Sequence, residues 1–180
     1  MKRELIEKAG QIKFFLMDVD GVLTDGRLYY DDQGKEIKVF HIHDGHGIRL
    51  LLEQGIKVGI LSGRKSKAVE IRARELGIEE CYLGVENKIK QYEEILKKHH
   101  LKDHEMAYIG DDLIDLPVIK RVGLSLSVSN GIDEVKDQCD WVTKKAGGLG
   151  GVREAIDFIL SARMGEKGLK PVGFLSPDRR

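Results

Sequence analysis

The sequence predicts an α/β fold: a Rossmann-like, doubly wound, mainly parallel sheet with a β-hairpin inserted after strand 1 and no cap domain. Short apolar runs alternate with amphipathic stretches along the chain, an order typical of parallel strands joined by helices. The first run, residues 14–17, is apolar without alternation, so we expect both of its faces to be buried in the centre of the sheet. At 180 residues the chain is long enough for one such domain.

The elements can be placed in order from turn, cap and periodicity signals. After the first strand, residues 26–40 alternate in polarity around a turn at 31–34 and predict the hairpin. Asp44 is expected to cap the next helix, which Gly55 ends. The later elements follow as a strand ending at Leu61, a helix over about 65–76, a strand over 81–83, a helix after Asn87, a strand over 106–110, two short strands around a helix near 132–139, and a last amphipathic helix from about 150. We expect a single domain over 1–164 and a flexible tail over 165–180.

Charge and cysteine usage exclude several classes of protein. Lys and Arg together number 30, as do Asp and Glu, so the sequence favours neither nucleic acid nor an anionic membrane as a partner. No apolar stretch approaches the roughly 20 residues that span a bilayer, and the charged N-terminus does not resemble a signal peptide. Cys81 and Cys139 are far apart and flanked by apolar residues, which favours reduced thiols in a cytoplasmic protein.

Polar side chains follow four of the predicted strands. Because parallel strands end at one edge of a sheet, these side chains are expected to meet there. Acids at two strand ends can hold Mg²⁺, and a hydroxyl and an ammonium group can hold phosphate oxygens. The pattern predicts a Mg²⁺-dependent phosphate site built from Asp18 with Asp20, Ser62, Lys88, and Asp111 with Asp112 and Asp115.

Two carboxylates one residue apart, Asp18 and Asp20, fit the two roles of phosphate ester hydrolysis. A carboxylate that attacks a phosphate approaches another anion, and two unit charges 4 Å apart repel by about 4 kcal/mol at an effective dielectric of 20. A divalent cation that bridges both groups removes this repulsion. The second acid can protonate the leaving alkoxide and then deprotonate the attacking water.

These motifs resemble those of the haloacid dehalogenase superfamily of phosphohydrolases. DVDGVLTDG resembles the first motif, Ser62 of LSGR the second, Lys88 the third and GDDLID the fourth. Within the superfamily the chain is most similar to the capless 3-deoxy-D-manno-octulosonate 8-phosphate phosphatases of lipopolysaccharide sugar synthesis. The similarity extends from the first strand through AGGLGGVREAIDFIL.

The resemblance implies a role for each acid. Asp18 is the nucleophile that forms an aspartyl-phosphate, and Asp20 is the general acid and base. Mg²⁺ is bound by the carboxylates of Asp18 and Asp111 and by the main-chain carbonyl of Asp20. Asp112 and Asp115 orient metal-bound water or the lysine.

The resemblance also implies how the substrate and the subunits are arranged. Ser62 and Lys88 hold the phosphoryl group. Arginines suit the carboxylate of a sugar acid, which a guanidinium binds with two hydrogen bonds. Members of the family form homotetramers in which the hairpin and tail of one subunit complete a neighbouring site. The implied substrate contacts are His41, Ile42, His43, Asp44, Gly45, Arg49, Arg64 and Arg72.

Four alternatives remain open from the sequence, three for the function and one for a single residue. The family usually has Asn-x-Arg-Asp-Gly where this chain has HIHDG at 41–45, which leaves a nonulosonate 9-phosphate as a second substrate. The histidines of HIHDGH, residues 41–46, together with Asp44 could instead hold zinc. A non-enzymatic, phospho-accepting or regulatory domain also uses Asp, Ser and Lys at strand ends. Arg72 lies roughly 12 Å along its helix from Arg64 and could be a surface or subunit-contact residue.

Overall fold

The computed structural model describes residues 3–164 and contains a six-stranded sheet in which every neighbouring pair is parallel. The strands are β1 (Phe14–Met17), β2 (Tyr29–Tyr30), β3 (Glu36–Ile37), β4 (Lys57–Ser62), β5 (Glu80–Leu83), β6 (Met106–Gly110), β7 (Leu124–Ser127) and β8 (Trp141–Val142). The order across the main sheet is β5-β4-β1-β6-β7-β8. The predicted central position of β1 is confirmed, since β4 and β6 pair with it on either side.

Helices cover both faces of this sheet. They are α1 (Arg3–Gly10), α2 (Ile42–Glu53), α3 (Lys67–Leu76), α4 (Lys88–His99), α5 (Leu116–Ile119), α6 (Asp133–Lys136) and α7 (Gly151–Met164). On one face, Phe15 and Met17 of β1 pack in a core with residues of α1, α2, α3 and α7. On the other, Phe14 and Leu16 pack in a second core with residues of α4, α5 and α6. Successive side chains of a strand point to opposite faces, so the continuous apolar run of β1 supplies both cores and the doubly wound fold is confirmed.

The insertion after β1 is a small antiparallel hairpin. Strands β2 and β3 pair with Tyr29 opposite Ile37, and the turn between them contains Gly34, whose φ is 77°. Between residues 3 and 164 no second folded layer covers the sheet edge in the manner of a cap domain. The hairpin lies beside the loop that follows β1, because Lys38, next to β3, contacts Asp20 in that loop.

Several boundaries differ from the sequence prediction. Helix α2 begins at Ile42 with His41 as its N-cap, so the prediction that Asp44 caps this helix is wrong. Helix α3 begins at Lys67, two residues later than expected, and ends at Gly77 in the left-handed conformation as predicted. Helices α1 and α5 were not predicted. None of the helices between residues 3 and 164 is long and apolar enough to cross a membrane. The predicted tail over 165–180 lies outside the described residues.

Candidate active site

The polar residues at four strand ends come together at one edge of the sheet. Asp18 follows β1 directly, Ser62 is the last residue of β4, and Asp111 follows β6 directly. Strand β1 pairs with both β4 and β6 in parallel, so these three ends lie side by side. Lys88 begins α4 and reaches the same place, since its Nζ lies 3.0 Å from Asp18 Oδ1.

Three carboxylates form the centre of the site. Asp18, Asp111 and Asp115 each offer an oxygen, and these oxygens lie within 4.8 Å of one another. Burial, followed by the repulsion of neighbouring carboxylates, raises the pKa of Asp18 to about 6 and that of Asp111 to about 7. Asp111 Oδ1 is buried without a hydrogen-bond partner among the described residues. A buried anion that lacks a partner and repels its neighbours is suited to a hard divalent cation.

Gly21 shapes the loop against this cluster. Its φ of +86° is in the left-handed region, and a Cβ at this position would lie 2.0 Å from Asp111 Oδ2. Only glycine allows the backbone of the loop after β1 to approach the carboxylate of Asp111, which follows β6, so closely.

Lys88 neutralises part of this negative charge. Its side chain is 3% exposed, and its Nζ donates to Asp115 Oδ1 at 2.7 Å and to Tyr108 Oη at 3.3 Å. Burial alone would lower the pKa of Lys88, but the carboxylates of Asp18 and Asp115 raise it, so the ammonium form is maintained. The helix dipole at the start of α4 disfavours this cation, and the buried acids offset that effect.

Asp115 and Asp112 differ in position although both belong to GDDLID. Asp115 is fully buried and accepts hydrogen bonds from Lys88, from Tyr108 Oη at 2.6 Å and from the main-chain N–H groups of Asp111 and Asp112. Asp112 is exposed and accepts from the N–H of Leu113. Asp115 is thus placed to orient the lysine, whereas Asp112 caps a short 3₁₀ turn. The buried Tyr108 hydroxyl was missed because Tyr108 reads as a core residue of β6.

The carboxylate of Asp20 contacts the hairpin and is not one of the three grouped carboxylates. Its Oδ1 forms an ion pair with Lys38 Nζ, which also lies 3.4 Å from Glu36 Oε1. Glu36 accepts in turn from Arg64 Nη2 at 2.7 Å. Sequence analysis predicted Arg64 near the substrate but missed Lys38, because a lysine in an alternating hairpin reads as a solvated surface charge.

Ser62 is buried, with 3% exposure, and its Oγ accepts from the N–H of Arg64 at 3.3 Å. Its hydroxyl hydrogen is free to be donated to another acceptor. Ser62 therefore lies at the end of the strand next to β1 with a donor available, and its phosphate-binding role stays a prediction.

Four of the predicted substrate contacts line one narrow cavity beside the site: His41, Asp44, Gly45 and Arg72. Arg72 packs so closely on α2 that a Cβ on Gly45 would lie 2.3 Å from Arg72 Nη2. Ile42 and His43 are exposed. Arg49 is also exposed and donates from Nη2 to the carbonyl of Glu75 at 2.7 Å, so it joins α2 to the end of α3.

Asp44 is buried in the first turn of α2, and its Oδ1 accepts from the N–H of Arg153 at 2.7 Å. It therefore satisfies the N-terminus of α7 rather than that of its own helix. Burial raises the pKa of Asp44, and its Oδ2 lacks a partner among the described residues.

The zinc alternative is not supported, since the only group of potential metal ligands within residues 3–164 is Asp18, Asp111 and Asp115.

A glycine-rich loop closes the other side of the site. Asn130 donates from Nδ2 to the carbonyl of Gly21 at 3.1 Å and accepts from the N–H of Gly147 at 2.7 Å. A Cβ on Gly147 would lie 1.8 Å from the carbonyl oxygen of Gly21. The AGGLGG segment thus packs directly on the loop after β1. Asn130 was missed because a lone Asn before Gly reads as a turn residue.

Comparisons with known proteins identify the family of the chain. Residues 84–156 match the family model described as haloacid dehalogenase-like hydrolase. The chain is 44% identical over 160 residues to 3-deoxy-D-manno-octulosonate 8-phosphate phosphatase KdsC of Escherichia coli K12, covering 89% of this chain and 85% of that protein.

Two solved structures are similar throughout. The 3-deoxy-D-manno-octulosonate 8-phosphate phosphatase of Yersinia pestis is 42% identical with a TM-score of 0.89, covering 91% of this chain and 88% of that one. The enzyme of that name from Moraxella catarrhalis, in complex with magnesium ion, phosphate ion and KDO, is 40% identical with a TM-score of 0.88, covering 91% and 94%. The chain belongs to the haloacid dehalogenase-like hydrolases and, within them, to the family of 3-deoxy-D-manno-octulosonate 8-phosphate phosphatases.

Proposed function

We propose that this protein is a Mg²⁺-dependent phosphatase that hydrolyses a sugar acid phosphate through an aspartyl-phosphate on Asp18. The observation that carries the proposal is the convergence of Asp18, Asp111 and Lys88 at one sheet edge. The carboxylate of Asp18, which can attack phosphorus, thus lies beside the ammonium of Lys88 and beside carboxylate oxygens suited to a metal ion.

Mg²⁺ fits the residues present. Hard cations prefer carboxylate oxygens, and the unpartnered buried Oδ1 of Asp111 is such an oxygen. We assign Asp18, Asp111 and the main-chain carbonyl of Asp20 as its ligands. Bound there, Mg²⁺ would supply positive charge that offsets the repulsion between the Asp18 carboxylate and the phosphate.

The side chains divide the two chemical steps between them. Asp18 attacks phosphorus, and the bond to the leaving oxygen breaks as Asp20 gives that oxygen a proton. Water then attacks the aspartyl-phosphate while Asp20 takes its proton, which releases phosphate and restores Asp18. Ser62 and Lys88 hold the phosphoryl oxygens, and Asp115 keeps Lys88 in place.

For the substrate we propose 3-deoxy-D-manno-octulosonate 8-phosphate. The support is that the relatives in Escherichia coli and Yersinia pestis are phosphatases of this ester and that the Moraxella structure contains KDO. Arg64 follows Ser62 closely in the chain, and its main-chain N–H donates to Ser62 Oγ, whereas Arg72 lines the cavity. We assign both guanidinium groups to the sugar carboxylate, which would have to displace Glu36 from Arg64 and Glu75 from Arg72. A nonulosonate 9-phosphate remains the comparison substrate, since His43 stands where the family has arginine.

We further propose a single domain over 1–164 in a cytoplasmic homotetramer. The supporting observation is an exposed apolar surface on the hairpin, formed by Leu28, Tyr30, Ile37 and Val39, which are 48–58% exposed. A second copy of this chain is the expected occupant, because the same hairpin is joined to the active site through Lys38. The free thiols of Cys81 and Cys139 suit a reducing compartment.

The test is phosphate release from both sugar acid phosphates, with and without Mg²⁺. We expect turnover that requires Mg²⁺, a higher kcat/KM for the eight-carbon acid, and loss of turnover in Asp18→Asn. The matched control is Asp25→Asn, since Asp25 lies in the same loop but accepts from Arg27 and Tyr29. Turnover retained in Asp18→Asn, or a stable phosphoprotein without turnover, would refute the proposal.

A further inference from the structure

The side chain of Lys38 is almost fully buried although the residue lies on the hairpin. Its side chain is 4% exposed, and its ammonium contacts Asp20 Oδ1 and, at 3.4 Å, Glu36 Oε1. A lysine rarely becomes this buried unless carboxylates compensate its charge. The two neighbouring acids provide that compensation, so the position of Lys38 is fixed from both sides.

Lys38 is part of a chain of ion pairs that joins the hairpin to the loops after β1 and β4. Asp20 lies in the loop after β1, Glu36 in β3, and Arg64 in the loop after β4. The chain runs from Asp20 through Lys38 and Glu36 to Arg64. Within residues 3–164, Lys38 is the group that hydrogen-bonds to the carboxylate of Asp20. The orientation of that carboxylate therefore depends on the hairpin.

We propose that Lys38 is a positioning residue for the proton transfer by Asp20. The inference rests on the proposed function, in which Asp20 protonates the leaving oxygen. Lys38 binds Oδ1 of Asp20, and the Asp20 carboxylate is not among the three that form the acidic cluster of Asp18, Asp111 and Asp115. Oδ2 is then the oxygen that carries the proton to the leaving group and later receives one from water. Atoms balance as in the two steps above, since Lys38 itself exchanges no proton.

Esters with different leaving groups can distinguish a positioning role of Lys38 from a purely structural role. An alkoxide leaves only if it is protonated, and a positioned general acid contributes about 10²–10⁴-fold to such a step. A p-nitrophenolate leaves without a proton. A misplaced general acid therefore slows cleavage of the alkyl ester selectively. A change in the fold, the metal site or phosphate binding slows cleavage of both esters together.

The experiment compares Lys38→Met with the wild type under single-turnover conditions, with enzyme and Mg²⁺ in excess. Release of the alcohol from the sugar acid phosphate and of p-nitrophenolate from p-nitrophenyl phosphate is measured by rapid quench. We expect the alkyl ester to react about 10²-fold more slowly and the aryl ester to change by less than about 3-fold. Lys38→Arg should recover most of the lost rate. Lys35→Met is the control, since Lys35 is an exposed lysine of the same hairpin.

If Lys38→Met alone folds poorly, the Lys38→Met/Glu36→Gln double variant is used instead. It removes one positive and one negative charge, so the net charge of the ion-pair chain is unchanged, and it should show the same selective loss for the alkyl ester. The same fold-loss for both esters, or no loss for either, would overturn the positioning role. Failure of the proposed function would look different, because the wild type would then release no phosphate from any ester.

Discussion

The structure predicts that Asp115→Asn destabilises the fold far more than Asp112→Asn, although both remove one carboxylate from GDDLID. Asp115 is fully buried and accepts from the Lys88 ammonium at 2.7 Å, from Tyr108 Oη at 2.6 Å and from two main-chain N–H groups. An amide in its place brings N–H donors toward these donors. It also leaves the buried ammonium with Asp18 alone as an ionic partner.

The size of the effect follows from two opposing contributions. Removing one partner of a buried ion pair costs about 3–5 kcal/mol. Part of this is offset, because Asp115 repels Asp18 and Asp111 and raises the pKa of both. We therefore expect a net loss of about 3 kcal/mol, at the lower end of that range. For a domain of this size each kcal/mol lowers Tm by about 2–4 °C, which gives a decrease of about 6–12 °C.

Urea unfolding and thermal unfolding of the metal-free protein measure this difference. Asp112→Asn is the matched control, because Asp112 is exposed and Asn is as good an N-cap as Asp. The control should change the free energy of unfolding by less than about 0.5 kcal/mol. Equal effects of the two substitutions would show that the buried network around Lys88 does not stabilise the site as described.

Three further predictions concern the acidic cluster and its loop. In the metal-free protein, burial raises the pKa of Asp111 from 3.8 to about 7. The free energy of unfolding should therefore fall as the pH rises between those values, because the folded state resists the ionisation of Asp111. The Tm increase caused by Mg²⁺ should accordingly be larger at pH 8 than at pH 5.5. Asp111→Asn should raise the metal-free Tm at pH 8 and abolish the Mg²⁺ effect, whereas a lower Tm would contradict the repulsion. Gly34→Ala should cost about 1–2 kcal/mol through left-handed strain alone. Gly21→Ala should cost more, because its Cβ would also overlap the Asp111 carboxylate, and only this variant should lose Mg²⁺ binding, as measured by calorimetry.

The sequence predicted those parts of the site in which a polar residue directly follows an apolar strand. Asp18, Ser62 and Asp111 each come at the end of an apolar run, and the parallel rule places such ends at one edge. The alternation of strands and helices predicted the layers for the same reason. These features depend on local patterns that are read directly along the chain.

What was missed depends on contacts distant in sequence. Lys38 is buried by Asp20 and Glu36, which no periodicity of the hairpin indicates. Asp44 was expected to cap α2 but satisfies α7, more than 100 residues later. Tyr108 reads as an ordinary core residue, yet its hydroxyl bonds to Asp115. Partner choice of this kind is set by packing rather than by local propensity.

The most direct test of the account is to locate the phosphoryl group on the enzyme. Asp20→Asn is incubated with Mg²⁺ and p-nitrophenyl phosphate, because an aryl ester can phosphorylate the enzyme without an acid while hydrolysis of the intermediate is slowed. After an acid quench, a peptic digest at low pH is analysed by fragment mass spectrometry. The account predicts one phosphoryl group on Asp18. Phosphate on another residue, or release of p-nitrophenolate with an unmodified Asp18, would contradict it.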